Sequence, residues 1–489
     1  MWNRESLEKL VREELGNCLF VVVSNREPFV HSFSGKDVVY TPPVGGLTTA
    51  LDPAMRASGG TWVAWGSGDA DKEVVDAQNR VWVPPEDPRY TLKRVWLTEE
   101  EVNGFYFGFS NEGLWPLCHM SYTLPSFDES QWKTYQKVNQ LFADAVLEEI
   151  GNRRAFISIQ DYHLALVSLM IKRKRPDAVT AQFWHIPWPN PEAFRICPWQ
   201  EEVLDGLLGN DIMGFHVQHF CNNFLETVGL AIESRIDYER SSVTRGGLTT
   251  LVRPFPISVD FDDIDRGSAE PEVAREMKAL RTEYGLTDEL VGLGVDRVDY
   301  TKGIPERFRA LDKLLEKYPQ FRQRLVFFEL GEISRIHIGK YQEINDEVDL
   351  LVESLNRKYG IPGKPLIHYL KGRVPPARLN AFRRLATFCV VSSLHDGMNL
   401  VAKEFPAARG DNDGVLILSR FTGAARELGD AVLVNPYAVD DFAEKIKLAL
   451  EMSGPERERR MKSMRATVRE NNIYAWAASI ISEMIELKV

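Results

Sequence analysis

At 489 residues the chain exceeds one ordinary hydrophobic core and has room for two domains, each with a substantial interior. Hydrophobic residues at 44% and charged residues at 26% are typical of a soluble globular protein, and no apolar run approaches the roughly 18 residues of a membrane span. The formal charge is 59 minus 70, or −11, without an acidic tail; this argues against general nucleic-acid binding, so any phosphate must be met by local positive groups. Five cysteines, odd in number and scattered through apolar surroundings, read as reduced core residues. The N-terminal stretch MWNRESLEKLVREELG is a charged helical pattern without the apolar centre of a secretory signal, so the expected compartment is the cytoplasm.

In chain order, the spacing predicts a strand at 19–23 and then a loop-rich, hairpin-like region. There Gly45 and Gly46 would let backbone approach a phosphate, with a helix starting near Thr48; taken alone, the two glycines are explained more simply by a plain turn. The aromatic run 105–109, FYFGF, with Trp115 behind it, predicts a strand and turn with core aromatics. Strands follow at 155–160, 180–185 and 211–215, with a helix at 162–175 that ends in the basic run 172–175 before Pro176, where it complements the helix dipole. Asp161 and His185 each end an apolar strand: Asp161 reads as a helix N-cap or as a carboxylate for a sugar hydroxyl, His185 as a core histidine or a functional one. The segment 252–260, VRPFPISVD, carries two prolines and predicts a domain boundary near 255.

The second half repeats the alternation, with strands at 290–295, 325–330, 366–370, 388–391, 415–418 and 431–434 and helices between most of them. Short strands alternating with helices imply parallel sheets covered on both faces. In VDRVDYTKG, 295–303, Arg297 and Lys302 share one loop between a strand and the helix 304–317, and both could reach a diphosphate; the competing reading is a surface loop whose charges pair with Asp296 and Asp299. In SSLHDGMNLVAKEF, 392–405, an acid, a glycine, an amide, a lysine and a second acid follow the buried strand 388–391, with a helix expected from Asn399 onward. Such a strand-to-helix turn at the carboxyl edge of a parallel sheet offers backbone N–H groups and the positive end of a dipole to an anion. The chain contains no GxxxxGK[ST], no HExxH and no full GxGxxG, which lowers the weight of nucleotide hydrolysis and nicotinamide chemistry.

Taken together, VSNRE (23–27), VGGL (44–47), FSNEGLWP (109–116), QDYHL (160–164), HIPWP (185–189), DIMGFH (211–216), VDRVDYTKG (295–303) and LHDGMNLVAKEF (394–405) resemble the trehalose-6-phosphate synthase family of glycosyltransferases, in the family's order. The resemblance implies an α/β GT-B fold: two Rossmann-like, doubly wound domains facing across a cleft, 1–255 for the acceptor and 256–470 for the nucleotide sugar. A C-terminal helix at 471–489 would cross back to the first domain. It implies glucose transfer from a nucleotide sugar, usually UDP-glucose, to glucose 6-phosphate with retention, with no metal or other cofactor.

By the same resemblance Arg297 and Lys302 hold the donor diphosphate, Gly45 and Gly46 approach it, and Asn399, Leu400 and Val401 supply the helix start. Glu404 binds the ribose, Val374 lies in the donor site, and Asp396 and His185 grip donor hydroxyls. Arg26, Tyr106, Trp115, Asp161 and Arg335 surround glucose 6-phosphate, with Arg26 and Arg335 on its phosphate. The catalytic set is then His185, Arg297, Lys302 and Asp396. Fixed positive charge would stabilise the departing diphosphate more in the transition state than in the ground state. The expected partners are these two substrates and a separate phosphatase, with a homo-oligomer open and neither nucleic acid nor membrane involved. His395, where the family pattern has arginine, and RICPW (195–199) depart from that pattern. They leave other readings open: another phosphorylated acceptor, such as glycerol 3-phosphate, or a catalytically idle sugar-phosphate sensor or scaffold.

Overall fold

The β-branched runs that end in polar residues do form strands, and the polar residues fall at the strands' carboxyl ends. In the computed structural model, residues 1–16, 18–41, 46–335 and 337–487 are described, with 46–50 described by backbone only. Gly45 lies outside the described residues, and Gly46 opens the helix Gly46–Ser58. The chain divides into two units, Met1–Ile257 with Ile473–Val489, and Ser258–Asn472. The first break falls after 255 because strand pairing runs on to Pro254 and the Phe255 N–H donates to Phe215 O at 2.6 Å, tying 255 to the first sheet.

The first unit holds β1 (Leu19–Arg26), the hairpin β2 (Val30–Ser34) and β3 (Asp37–Thr41), β4 (Thr61–Trp65), β5 (Arg80–Val83), β6 (Tyr90–Val95), β7 (Ala155–Gln160), β8 (Val179–Phe183) and β9 (Ile212–Phe215). It continues with β10 (Arg235–Asp237), β11 (Ser242–Arg245) and β12 (Leu248–Pro254). Its main sheet runs β10-β11-β12-β9-β8-β7-β1-β4-β6-β5. The stretch β6-β4-β1-β7-β8-β9 is parallel, and its order reverses between β1 and β7. The second unit holds β13 (Leu290–Val298), β14 (Leu325–Ile333), β15 (Ile367–Lys371), β16 (Phe388–Val391), β17 (Val415–Ser419) and β18 (Val432–Val434), in the order β15-β14-β13-β16-β17-β18, all parallel. Its order reverses between β13 and β16. Both units thus have the doubly wound pattern in which ligands bind at the carboxyl ends beside the reversal. The final helix, Ile473–Glu486, belongs to the first unit: Trp476 lies edge-on to Phe183 at 5.3 Å and Glu483 pairs with Arg253 at 3.1 Å.

Three local expectations need correction. The run 105–109 is helical: Thr98 caps the helix Glu99–Val102 in a capping box with Glu101, and the chain continues as a wide π-helix, Asn103–Leu114. Packing overrides the strand propensity of the aromatics, because Gly104 and Gly108 lie one turn apart against the helix Glu129–Ile150. A Cβ there would meet Thr134 at 2.8 Å and Gln131 at 2.5 Å. The expected helix at 162–175 is a 3₁₀ turn, Tyr162–Leu164, followed by Val167–Lys172. Side chains of Glu129–Ile150 take over the backbone groups at the break: Tyr135 Oη accepts from Ala165 N–H at 3.0 Å and Asn139 Oδ1 from Leu166 N–H at 3.1 Å. Asn399 stands outside its helix, which spans Val401–Ala408, and adopts a left-handed φ of 75°.

Candidate active site

In the second unit, Arg297 sits one residue from the end of β13, and 299–303 turn into the helix Ile304–Lys317. Gly303 makes this turn possible. Its φ is 63°, and a Cβ would stand 2.2 Å from Ser392 O, so the loop lies directly on the end of β16. Leu394 N–H donates to Thr301 O at 2.7 Å, joining the two loops that flank the reversal. Lys302 Nζ then meets Asp396 Oδ2 at 2.5 Å. The same oxygen accepts from Ser393 Oγ at 3.1 Å and Asn399 Nδ2 at 3.2 Å, and Asn399 Oδ1 accepts the Ala402 N–H at 3.2 Å. The backbone of Asp396 is bonded on both sides, its N–H to Phe421 O at 3.1 Å and its carbonyl to Gly423 N–H at 3.2 Å. The polar cluster 393–399 is therefore a rigid turn.

Asp299 is fully buried, accepting from Thr301 N–H at 3.0 Å, Thr301 Oγ1 at 2.9 Å and Tyr341 Oη at 3.1 Å. Burial works against its charge, but the positive groups of Arg297, Arg335 and Lys302 outweigh that and hold its carboxyl below the usual range. Arg335, with a left-handed φ of 53°, donates from Nη1 to Tyr341 Oη at 2.7 Å and lies 5.5 Å over that ring. Three cations thus gather about one ionised carboxylate, with Asp396 as a second. The competing surface-loop reading is met in part: Asp299 does face Arg297 and Lys302, but it is buried, and Asp296 pairs with Arg307, which reaches Asp296 at 2.6 Å, Glu329 at 2.7 Å and Ser392 Oγ at 3.1 Å. Burial raises Asp296 and pushes Glu329 up to about 7. Glu404, in the first turn of Val401–Ala408, accepts from Arg383. Leu400 caps that helix, and half-buried Val374 lies between β15 and the helix Pro376–Leu385.

In the first unit, Arg26 ends β1 and donates from Nη2 to Tyr106 Oη at 2.7 Å, its guanidinium 5.3 Å over the ring. Tyr106 stacks on His163 at 5.7 Å and 17°, and Trp65 lies 6.4 Å away. Asp161 follows β7 with a φ of 72°; its Oδ1 accepts from Tyr162 N–H at 2.9 Å and His185 N–H at 3.2 Å, and its Oδ2 lies 3.8 Å from His163 Nδ1. His185, two residues past β8, shares a 2.7 Å hydrogen bond with Gln160 Oε1, which can only accept, so Nε2 carries the proton. Burial, then the nearby charges of His216 and His163, hold its pKa well below the usual value, so the imidazole is neutral at physiological pH. Trp115 opens the helix Trp115–His119 and lies 4.0 Å from His119 and 5.9 Å from Tyr162.

Of the expected acceptor set, the first unit carries Arg26, Tyr106, Trp115 and Asp161, and the second carries Arg335 beside Asp299. Gln160, His163 and Asp299, which orient these groups, stood in plain view within QDYHL and VDRVDYTKG. Trp65 and Tyr341 carried no local signal. Among the described residues no three His, Cys, Asp or Glu side chains cluster as a metal site would require, and no helix is long and apolar enough to cross a membrane.

The model of Glycosyltransferase family 20 matches residues 19–486. The chain belongs to glycosyltransferase family 20. Family 20 relatives include the trehalose-6-phosphate synthase of Mycolicibacterium paratuberculosis, 37% identical over 481 residues and covering 96% of each chain. Among solved structures, "Trehalose-6-phosphate from E. coli bound with UDP-2-fluoro glucose" matches with a TM-score of 0.85 and 32% identity, over 95% of this chain and 98% of that one. An α,α-trehalose-phosphate synthase (UDP-forming) from Burkholderia xenovorans in complex with glucose-6-phosphate matches with a TM-score of 0.86 and 28% identity, over 95% and 99%. As a family 20 member the chain is a glycosyltransferase, with the GT-B pair of Rossmann-like domains.

Proposed function

We propose that the protein transfers glucose from UDP-glucose to glucose 6-phosphate with retention, giving trehalose 6-phosphate. The observation that carries this reading is the gathering of Arg297, Lys302 and Arg335 about buried Asp299 beside the β13/β16 reversal. The local positive charge exceeds that of the two carboxylates and fits a diphosphate. The relatives' printed substrates, a UDP-glucose analogue and glucose-6-phosphate, point the same way.

In this reading Arg297 and Lys302 stabilise the oxygens of the departing diphosphate as the C1–O bond breaks, and Asn399 and Leu400 hold the helix start toward it. Lys302 leaves Asp396 in part for the phosphate, freeing carboxylate capacity for a donor hydroxyl. Glu404, poised by Arg383, takes the ribose. His185, held neutral by its surroundings, serves as a hydrogen-bond partner to the sugar and not as an acid. The acceptor hydroxyl's proton passes to the phosphate oxygen that leaves, and the oxocarbenium-like sugar is captured on the same face. Arg26 with Tyr106, Trp115 and Asp161 receives glucose 6-phosphate, and Arg335 adds charge for its phosphate. The substrates are the partners this needs; removal of the product's phosphate falls to a separate phosphatase.

The test is nucleoside-diphosphate release from purified protein across a matrix of UDP-, GDP- and ADP-glucose against glucose 6-phosphate, glucose and glycerol 3-phosphate. Release with UDP-glucose and glucose 6-phosphate, lowered about 10³-fold in Arg297→Ala, is expected. Full turnover by Arg297→Ala, or a preference for glycerol 3-phosphate, would overturn the reading.

A further inference from the structure

Behind the acceptor residues lies a buried polar cluster that none of the above uses. Glu27, the chain neighbour of Arg26, accepts from Arg94 Nε at 2.9 Å, from the Ser67 N–H at 2.8 Å and from Ser67 Oγ at 3.1 Å. Arg94, on β6 and about 1% exposed, also reaches Asp71 Oδ1 at 2.8 Å and donates to Phe29 O at 3.0 Å and His31 Nδ1 at 2.8 Å. Asp71 is fully buried; it accepts the His31 N–H at 2.8 Å and the Gly68 N–H at 2.7 Å and shares the Arg94 guanidinium with Glu27.

The placement of these bonds matters. Arg26 pairs in register with Trp65, and both side chains touch Tyr106, at 5.3 and 6.4 Å from its ring. Glu27 to Ser67 clamps the two segments one and two residues past this pair. His31 to Asp71, with Phe33 N–H on Asp69 at 3.0 Å, fastens the β2–β3 hairpin to the same turn.

The charges do not balance without a proton. His31 Nδ1 lies 2.8 Å from Arg94 Nη2 and 3.5 Å from Asp71 Oδ1; an arginine can only donate, so at the shorter contact Nδ1 accepts, and two carboxylates face one guanidinium, leaving one surplus negative charge in a dry interior. Burial, then the interaction with Asp71, pushes Glu27 up to about 8, and Asp71 is lowered in spite of its burial by its contacts with His31, whose backbone N–H donates to it, and with Glu27 and Arg94. The pair holds one shared proton, on Glu27, donated to Asp71.

We propose that Glu27, Asp71, Arg94 and His31 form a proton-bearing latch that positions Arg26 and Trp65 for a phosphorylated acceptor, and that losing the proton weakens acceptor binding while leaving donor binding alone. Glu27 is thus a positioning residue, acting through Arg26 and the Ser67 turn. The inference rests on the acceptor reading given above.

The experiment measures KM for glucose 6-phosphate, KM for UDP-glucose and kcat from about pH 7 to about pH 9.5, where the sugar phosphate stays dianionic because its second ionisation lies near about 6. In the native enzyme the acceptor KM is expected to rise about tenfold or more, with donor KM and kcat moving less than about twofold. Glu27→Gln, which keeps a neutral donor toward Asp71, flattens the rise, and Asp71→Asn does so independently by removing the surplus charge. A flat native profile, a parallel rise in donor KM, or an unaltered rise in Glu27→Gln would each overturn the latch. If either variant fails to fold, the native profile still decides. Arg26→Ala separates the two readings: an unchanged acceptor KM there sinks the acceptor assignment itself, whereas a raised one beside a pH-insensitive native enzyme sinks only the latch.

Discussion

Arg26 and Asp161 flank the strand reversal of the first sheet much as Arg297 and Asp396 flank that of the second, and the two sheets share the same central strand order. Their furnishings differ in kind. In the first unit the edge is lined by rings, Tyr106 on His163 and Trp65, with Trp115 against Tyr162, and its histidine is held neutral. In the second it is lined by cations whose charge is drawn together by buried Asp299 and braced by the buried Arg307 network. In doubly wound folds such edges are where ligands bind, but only the side chains decide which ligand: flat apolar faces with a few polar handles suit a sugar ring, and concentrated positive charge suits a diphosphate.

The contrast breaks most readily at the cationic edge. Arg297→Ala is expected to lower kcat/KM by about 10³-fold, about 4 kcal/mol of transition-state stabilisation; calorimetric UDP affinity should fall with it, and a loss under about threefold would put the diphosphate elsewhere. At the aromatic edge the effect is smaller and confined to one substrate. Tyr106→Phe removes the hydroxyl that accepts from Arg26 and should raise the acceptor KM about tenfold, as expected for a hydrogen bond to a charged group, while donor KM stays constant. Equal shifts in both constants would erase the distinction between the edges.

The buried network beneath the cations gives the second unit a pH signature. Burial raises Glu329 from 4.5 to about 7, so its contribution to stability is fully present below about 4.5 and is lost as pH rises to about 7. Thermal melts should therefore show stability falling across that window, and Glu329→Gln should flatten the fall; an unchanged slope would remove Glu329 as its source. The smallest effect tests the wide helix that carries Tyr106. Gly104→Ala places a Cβ 2.8 Å from the Thr134 Cβ, a contact that only a small shift of the two helices relieves, and should cost about 1 kcal/mol in denaturant unfolding with the fold retained. No measurable cost would contradict the close packing of these helices.

Much of this was legible along the chain because strands that end in polar residues announce a sheet edge. Asp161, His185, Arg297 and Asp396 were each found that way, and all lie at or just past a strand's carboxyl end. The run 105–109 misled because aromatic residues favour strands, while the competing signal, glycines one turn apart, has meaning only once a partner helix is known to press on that face. Arg94 carried no local signal, and Glu27, although it closes VSNRE, gave no sign of its partner: only packing buries the two together.

The amino-acid order alone determined the alternation of strands and helices, the two-unit division and the residues available at each sheet edge, because hydrophobic period, caps and breakers act between near neighbours. Which of those residues meet was decided only by the tertiary structure. Lys302 reaches Asp396 across 94 positions and Arg26 reaches Tyr106 across 80, through strand order and helix packing that no local pattern encodes. The same packing sets dielectric and charge together, so it alone made His185 neutral, Asp299 ionised and Glu27 a proton carrier.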